Sequence, residues 1–192
     1  AEEERRAKEE KEREEAERKV KDAKHRAEAE QKIEEEYRNL AEQCAKDMEI
    51  KDGELLKYNG TQSTIIIPNS VNRLGHSFML NAVIKSIEVD VGNRHFRSID
   101  GNLYSKDGKT LVRYAAEKNA KSFEIPRGVT RIDPLAFYFC KNLTSIIIPD
   151  SVTSIGYDAF CRCHSLTSIT ILSSVKVIER NAFLGCNRLK II

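Results

Sequence analysis

The sequence is short of the features that most simply declare a function. It has no tryptophan, four prolines, nine glycines and four histidines in 192 residues. No stretch approaches the roughly 18 consecutive apolar residues of a membrane-spanning helix. The first residues are rich in Glu and Arg, the opposite of a signal peptide, and the chain begins without Met, as a processed or excised piece would. No phosphate-binding G-x-x-x-x-G-K-[ST] loop or dinucleotide fingerprint is present. The five cysteines (Cys44, Cys140, Cys161, Cys163, Cys186) are an odd number without the spacing of a small disulfide-built scaffold. "CRCH" at Cys161–His164 lacks a second ligand pair at any familiar zinc spacing. His25, His76, His95 and His164 are scattered over the helix, two repeat turns and a hairpin, so no Ser–His–Asp or Cys–His set is brought together. Catalysis, a metal and a cofactor are therefore not expected.

Charge is nearly balanced overall but unevenly placed. Residues 1–50 carry 13 basic and 18 acidic side chains, and residues 51–192 carry 19 basic and 12 acidic. The basic excess of the second part is not clustered into the stripe that a nucleic-acid binder needs, so no nucleic acid is expected as partner.

From Ala1 to about Asp47 there is no Pro or Gly, and Ala, Glu, Lys and Arg, all strong helix formers, dominate. Opposite charges recur four residues apart: Glu2–Arg6, Glu4–Lys8, Glu9–Arg13, Glu14–Arg18 and Glu17–Lys21. Each such pair contributes about 0.2–0.5 kcal/mol. The spacing predicts a long charged helix over residues 1–48, about 70 Å in length at 1.5 Å per residue. A thin apolar seam runs through Ala16, Val20, Ala23 and Ala27, then resumes as Ile33, Tyr37, Leu40, Cys44 and Met48. That 3-4 alternation is the coiled-coil pattern, with a stutter-like break. Three readings stay open: a solvated single helix whose last turns pack on the next domain, self-association through the seam, and docking on an unrelated partner.

Past Asp47 the pattern changes. Three segments align without gaps: Lys121–Leu143 "KSFEIPRGVTRIDPLAFYFCKNL", Thr144–Leu166 "TSIIIPDSVTSIGYDAFCRCHSL" and Thr167–Leu189 "TSITILSSVKVIERNAFLGCNRL", followed by "KII". An earlier copy, Ser63–Ile84, is one residue short. A fixed 23-residue period signals a solenoid. Positions 3 and 5 of each copy read as the core side of a short strand, and positions 9, 12, 16, 17, 20 and 23 supply further apolar layers. Cys140, Cys163 and Cys186 share position 20 and read as an inward ladder of free thiols packing as small hydrophobes, while Cys161 falls on the outer turn. The period is interrupted between Lys85 and Ala120, where "FRSIDGNLYSKDGKTLVRY" reads as a hairpin with the Asp-Gly of "KDG" at its tip. "IKDGELLKYNG" (Ile50–Gly60) looks like a shortened relative of it. The fold class expected is α+β: the helix, then over 49–192 a parallel-stranded solenoid with an irregular insert over 90–120.

The strings "IPDSVTSIG..AF..C.SLTSI" and "SIDGNLYSKDGKTLVRY" resemble the BspA-like, Treponema-type leucine-rich repeat proteins over roughly Ile50–Ile192. The resemblance implies a non-catalytic, adhesin-like protein-binding module at the cell surface or outside the cell. The partner would be a host matrix protein or another cell-surface protein. The alternative is a cytoplasmic scaffold, whose helix docks on a filament or oligomerises while the repeats act as spacer or platform. Strand alternation places positions 2 and 4 on the wet face. The candidate contact row is Thr64, Ile66, Ser86, Glu88, Ser122, Glu124, Ser145, Ile147, Ser168 and Thr170. The hairpin tip at Ser105–Lys109 and the final strand Lys190–Ile192 compete with it, the latter as an edge open to self-association. The sequons at Asn59 and Asn142 matter only in a secretory eukaryote.

Overall fold

A computed structural model of the chain describes residues 2–75, 78 and 83–191. It divides into two compact units, Ala1–Leu40 and Ala41–Ile192. The first is a single stretch of helix α1 (Glu2–Lys46), whose last turn belongs to the second unit. Charge pairs hold it: Arg6 to Glu2 and Arg13 to Glu17 at 3.0 Å, and Lys19 to Glu15 at 2.7 Å. Glu17 thus takes Arg13 as partner rather than Lys21, since both neighbours four residues away are within reach. The expected pairs through Glu4 and Glu9 lie outside the described side chains. The seam residues Val20, Ile33 and Tyr37 are exposed.

The second unit is a stack of coils. A hairpin of β1 (Met48–Lys51) and β2 (Glu54–Tyr58) turns at Asp52-Gly53, both with positive φ, and β2 pairs in parallel with β4 (Arg73–Leu74). Strand β3 (Thr64–Ile67) pairs in parallel with β5 (Ser86–Val89). The insert is a three-stranded meander, not a single hairpin: β6 (Phe96–Ile99), β7 (Asn102–Ser105) and β8 (Thr110–Arg113). Its first turn is Asp100-Gly101, a second Asp-Gly signal upstream of the KDG turn.

Each full repeat then gives a strand at positions 2–4 and a two-residue strand at positions 11–12. The first kind, β9 (Ser122–Glu124), β11 (Ser145–Ile147), β13 (Ser168–Thr170) and β15 (Lys190–Ile191), forms one parallel four-stranded sheet. The second kind, β10 (Arg131–Ile132), β12 (Ser154–Ile155) and β14 (Val177–Ile178), continues in parallel from β8. The insert therefore supplies the missing coil's second strand, with Leu111 opposite Ile132. β2 does the same for the first copy, with Leu55 opposite Leu74.

The core between the sheets is built from the repeating positions. Ile125, Val129, Ile132, Ala136, Phe137, Cys140 and Leu143 are buried, as are Ile148, Val152, Ile155, Ala159, Phe160, Cys163 and Leu166. Tyr114 heads an aromatic column through Phe137, Phe160 and Phe183, with ring centroids 5.3, 4.9 and 5.1 Å apart. The last coil is less covered: Val177 and Ile178 are 49% and 48% exposed, where Ile155 is fully buried.

The turn at positions 15–19 is a third ladder. Leu135, Phe137 and Phe139 donate their N–H groups to the carbonyls of Tyr157, Ala159 and Cys161 at 3.1, 2.7 and 2.9 Å, and Asp158, Phe160 and Arg162 repeat this to the next coil. Facing all of these groups along the stack requires a left-handed residue at positions 15 and 19 of every coil: Leu135 and Phe139, Asp158 and Arg162, Asn181 and Gly185.

Candidate functional site

In the four-stranded sheet, Ser122, Ser145, Ser168 and Lys190 are in register, as are Glu124, Ile147 and Thr170. Neighbouring strands lie about 4.8 Å apart. The pleat turns Ile146 and Ile148 inward at 2% exposure and Ile147 outward at 53%. Glu124 and Thr170, its neighbours in the row, are also exposed. The result is a face of hydroxyls with one aliphatic side chain at its centre, one carboxylate beside it and the Lys190 ammonium group on the outer strand.

The other four candidate residues do not extend this row. Thr64, Ile66, Ser86 and Glu88 belong to the separate β3–β5 pair. Ile66, expected on the wet face, is 1% exposed. Alternation assumes an uncovered face, and β3 instead lies beside the end of α1, where the Cys44 thiol donates to the Thr64 carbonyl at 3.8 Å. Ser86 donates to the Glu88 carboxylate at 2.7 Å, and the Asp100-Gly101 turn lies directly on Ser86. Gly101 accepts from the Ile87 N–H at 2.9 Å, so the meander occupies the edge of β5 on which the row was expected to continue. A Cβ on Gly101 would collide with Ser86 Oγ, which is why only glycine serves there.

The hairpin tip closes on itself. Ser105 donates to Asp107 Oδ1 at 2.6 Å, the Lys109 N–H donates to the same oxygen at 3.0 Å, and Ser105 Oγ accepts from the Thr110 N–H at 2.9 Å. These bonds, with the Ser105 hydroxyl first, hold the Asp107 carboxyl below its usual pKa. The final strand is described as far as Ile191, paired to β13; Ile192 lies outside the described residues.

The position-20 thiols form an inward ladder. Cys163 donates to the Phe137 carbonyl and Cys186 to the Phe160 carbonyl, each at 3.0 Å. A hydrogen bond with Cys140 and burial push the Cys163 thiol far above its usual pKa. Cys161, expected on the outer turn, is instead buried at 5% exposure, whereas Leu184 at the same position one coil later is 58% exposed. Burial raises its pKa as well. His25, His95 and His164 are exposed, with His164 Nδ1 3.0 Å from the Gly185 carbonyl oxygen, and His76 lies outside the described residues. Among the described residues no group of three His, Cys, Asp or Glu side chains is placed to hold a metal ion, and no helix is long and apolar enough to cross a membrane.

A family model described as a BspA type leucine-rich repeat region of six copies matches residues 113–192. The chain carries a BspA-type leucine-rich repeat region. Among solved structures, the pneumococcal vaccine antigen PcpA is 31% identical over 71% of this chain and 33% of its own, with a TM-score of 0.62. A leucine-rich cell surface protein from Faecalibacterium prausnitzii is 30% identical over 68% of this chain and 41% of its own, with a TM-score of 0.53. A leucine-rich repeat protein from Eubacterium ventriosum shares the fold, at 23% identity, 70% and 49% coverage and a TM-score of 0.52. The chain therefore spans less than half of each of these proteins. No curated protein sequence matches it. The BspA-type region begins at Arg113, so Tyr114, which heads the aromatic column, is its first stacked ring.

Proposed function

We propose that the chain is a non-catalytic protein-binding module of adhesin type, working at the cell surface and contacting a matrix or surface protein through the outer face of β9, β11 and β13. The observation that carries this reading is Ile147. It is half exposed on an inner strand of the four-stranded sheet, flanked by Glu124, Thr170 and the serine row. A large aliphatic side chain gains about 1.5–3 kcal/mol when it is fully taken out of water, so a complementary partner would be held there. Repetition lays equivalent positions out in rows, which is how solenoids offer extended surfaces. The F. prausnitzii relative is named as a cell surface protein, which supports the location.

A second reading has one observation in its favour. All five cysteines are free thiols, and oxidising compartments usually pair theirs. This fits an internal scaffold whose charged helix meets a filament or another copy.

The test is surface plasmon resonance of the whole chain over immobilised collagen, laminin and fibronectin. The proposal expects saturable binding to at least one. It also expects the double variant Ile147→Lys with Ser145→Arg to lose at least about tenfold in affinity, while deletion of residues 106–108 leaves binding intact. Loss only in the deletion would move the site to the meander, and no binding to any matrix protein would remove the adhesin reading.

A further inference from the structure

The exposed seam of α1 has a symmetry that its heptad break creates. An apolar side chain standing singly on a helix surface needs no explanation, but the arrangement of these does. Val20 is 70%, Ile33 66% and Tyr37 41% exposed. Strict 3-4 alternation would carry the seam from Ala27 through Glu30 to Glu34, and it reaches Ile33 instead. As a result Ala16 and Tyr37, Val20 and Ile33, and Ala23 and Glu30 stand at equal distances on either side of a point between Arg26 and Ala27. Turned end for end, the seam falls on its own positions. Two of the three layers then set an alanine against a larger side chain, as interdigitation requires, and the third sets Val20 against Ile33.

The charges share the same centre. Residues 18–26 hold five basic side chains and one acidic, Asp22, which is net +4; residues 28–36 hold five acidic and one basic, Lys32, which is net −4. Every residue of both blocks is exposed. Inside this span the intrahelical ion pairs are long, Lys24 to Glu28 at 3.8 Å and Lys32 to Glu36 at 4.0 Å. Exposed pairs of that kind contribute little and exchange partners readily.

We infer that α1 docks on the α1 of a second copy of this chain, antiparallel, with the two-fold axis beside Arg26 and Ala27. Each basic block then lies along the acidic block of the second copy, while the apolar layers meet between them. A parallel pair in register would set each block against its like, which charge repulsion opposes. Flanking charges are what fix orientation in paired helices. The contact is isologous, so it closes at two copies. With so thin and alanine-rich a seam, the pair depends on its charges and therefore on salt. The inference rests on the helix contact with another copy offered above, is independent of the sheet face, and gives each assembly two Ile147 side chains to present.

The experiment is sedimentation velocity of the whole chain at low and high salt, with disulfide trapping to read the direction of pairing. The expected result is a dimer at about 0.1 mM protein in low salt. It should dissociate in 1 M salt, where the screening length falls to about 3 Å. Val20→Ala with Ile33→Ala should weaken dimerisation about tenfold or more and leave the circular dichroism of the repeat unit unchanged, since both side chains are exposed in the single chain. For direction, the single variants Val20→Cys and Ile33→Cys are mixed in equal amounts and oxidised with glutathione disulfide, beside the wild type as control for the native thiols. The mixed cross-link should form in preference to either variant joined to itself. A monomer in low salt, a dimer indifferent to the double alanine variant, or Val20→Cys cross-linked chiefly to itself would each overturn the inference.

Discussion

At the level of single residues, the repeat's apolar code could be read directly from the 23-residue alignment, because positions 3, 5, 9, 12, 16, 17, 20 and 23 are apolar in all three full copies. What the alignment hid was backbone. Positions 15 and 19 are left-handed in all three coils, yet they hold Leu135, Phe139 and Arg162 as well as Asp158, Asn181 and Gly185. Only the last three are residue types that visit that region readily. Arg162→Gly is therefore expected to stabilise the repeat unit, by about 0.5–1 kcal/mol, measured as a shift in the urea midpoint at constant m-value. Cys161, which sequence position alone placed outside, is also buried. Thiol titration should find Cys140, Cys161 and Cys163 unreactive until denaturant is added.

A second residue-scale consequence concerns pH. The buried Tyr104 and Tyr114 hydroxyls have pKa values pushed well above the usual range by burial. Burial likewise lifts the Cys44 and Cys161 thiols, and hydrogen bonds between neighbouring thiols of the ladder, reinforced by burial, lift those of Cys163 and Cys186. In each case the folded state holds its proton where the unfolded chain has released it. Stability is thus fully present below the unfolded pKa and falls as pH rises through the window above it. Burial pushes the Tyr58 hydroxyl up to about 12 with the same sign; Arg113, depressed to about 10, and Lys118, also depressed by burial, act with the opposite sign, but they are two groups against seven. Denaturation by urea should show a steady loss of stability from about pH 8.5 upward, partly relieved in Tyr104→Phe.

Among the elements, the charged helix and the parallel strands followed from periodicity, and the meander did not. "SIDG" contains a second Asp-Gly turn signal, but nothing local states that β8 will pair in parallel with β10, a contact set by the stack. The same long-range packing brings Asp100-Gly101 onto Ser86 and divides the expected ten-residue row into six and four. Gly101→Ala should destabilise by about 1–3 kcal/mol, and adding Ser86→Ala should restore only the part due to the collision, since the positive φ of 65° remains. For the helix, the ion pairs are exposed, with side chains 58–81% accessible. Residues 1–40 as a peptide should show helical circular dichroism that weakens in 1 M salt, where the screening length falls to about 3 Å. A coil spectrum at low salt would rule out charge pairing as its support.

For the whole molecule, stability is carried by stacking, because no coil can bury its apolar face alone. A gradient follows. Ile155 is fully buried and Ile178, the same position one coil later, is 48% exposed. Ile155→Ala should cost about 2–5 kcal/mol and Ile178→Ala less than about 1.5 kcal/mol. The gradient runs along β12 and β14, whereas the Ile147 face belongs to the β9–β11–β13–β15 sheet, and both follow the register of the alignment. Where it failed, at Ile66 and Ser86, other parts of the chain cover the strands, which no repeat period records. The most direct test of the binding face is amide hydrogen exchange on the whole chain, free and saturated with whichever matrix protein it binds. Added protection should fall on residues 122–124, 145–147 and 168–170, leaving 105–109 unchanged. Protection confined to 105–109, with the three strands exchanging as in the free protein, would contradict it.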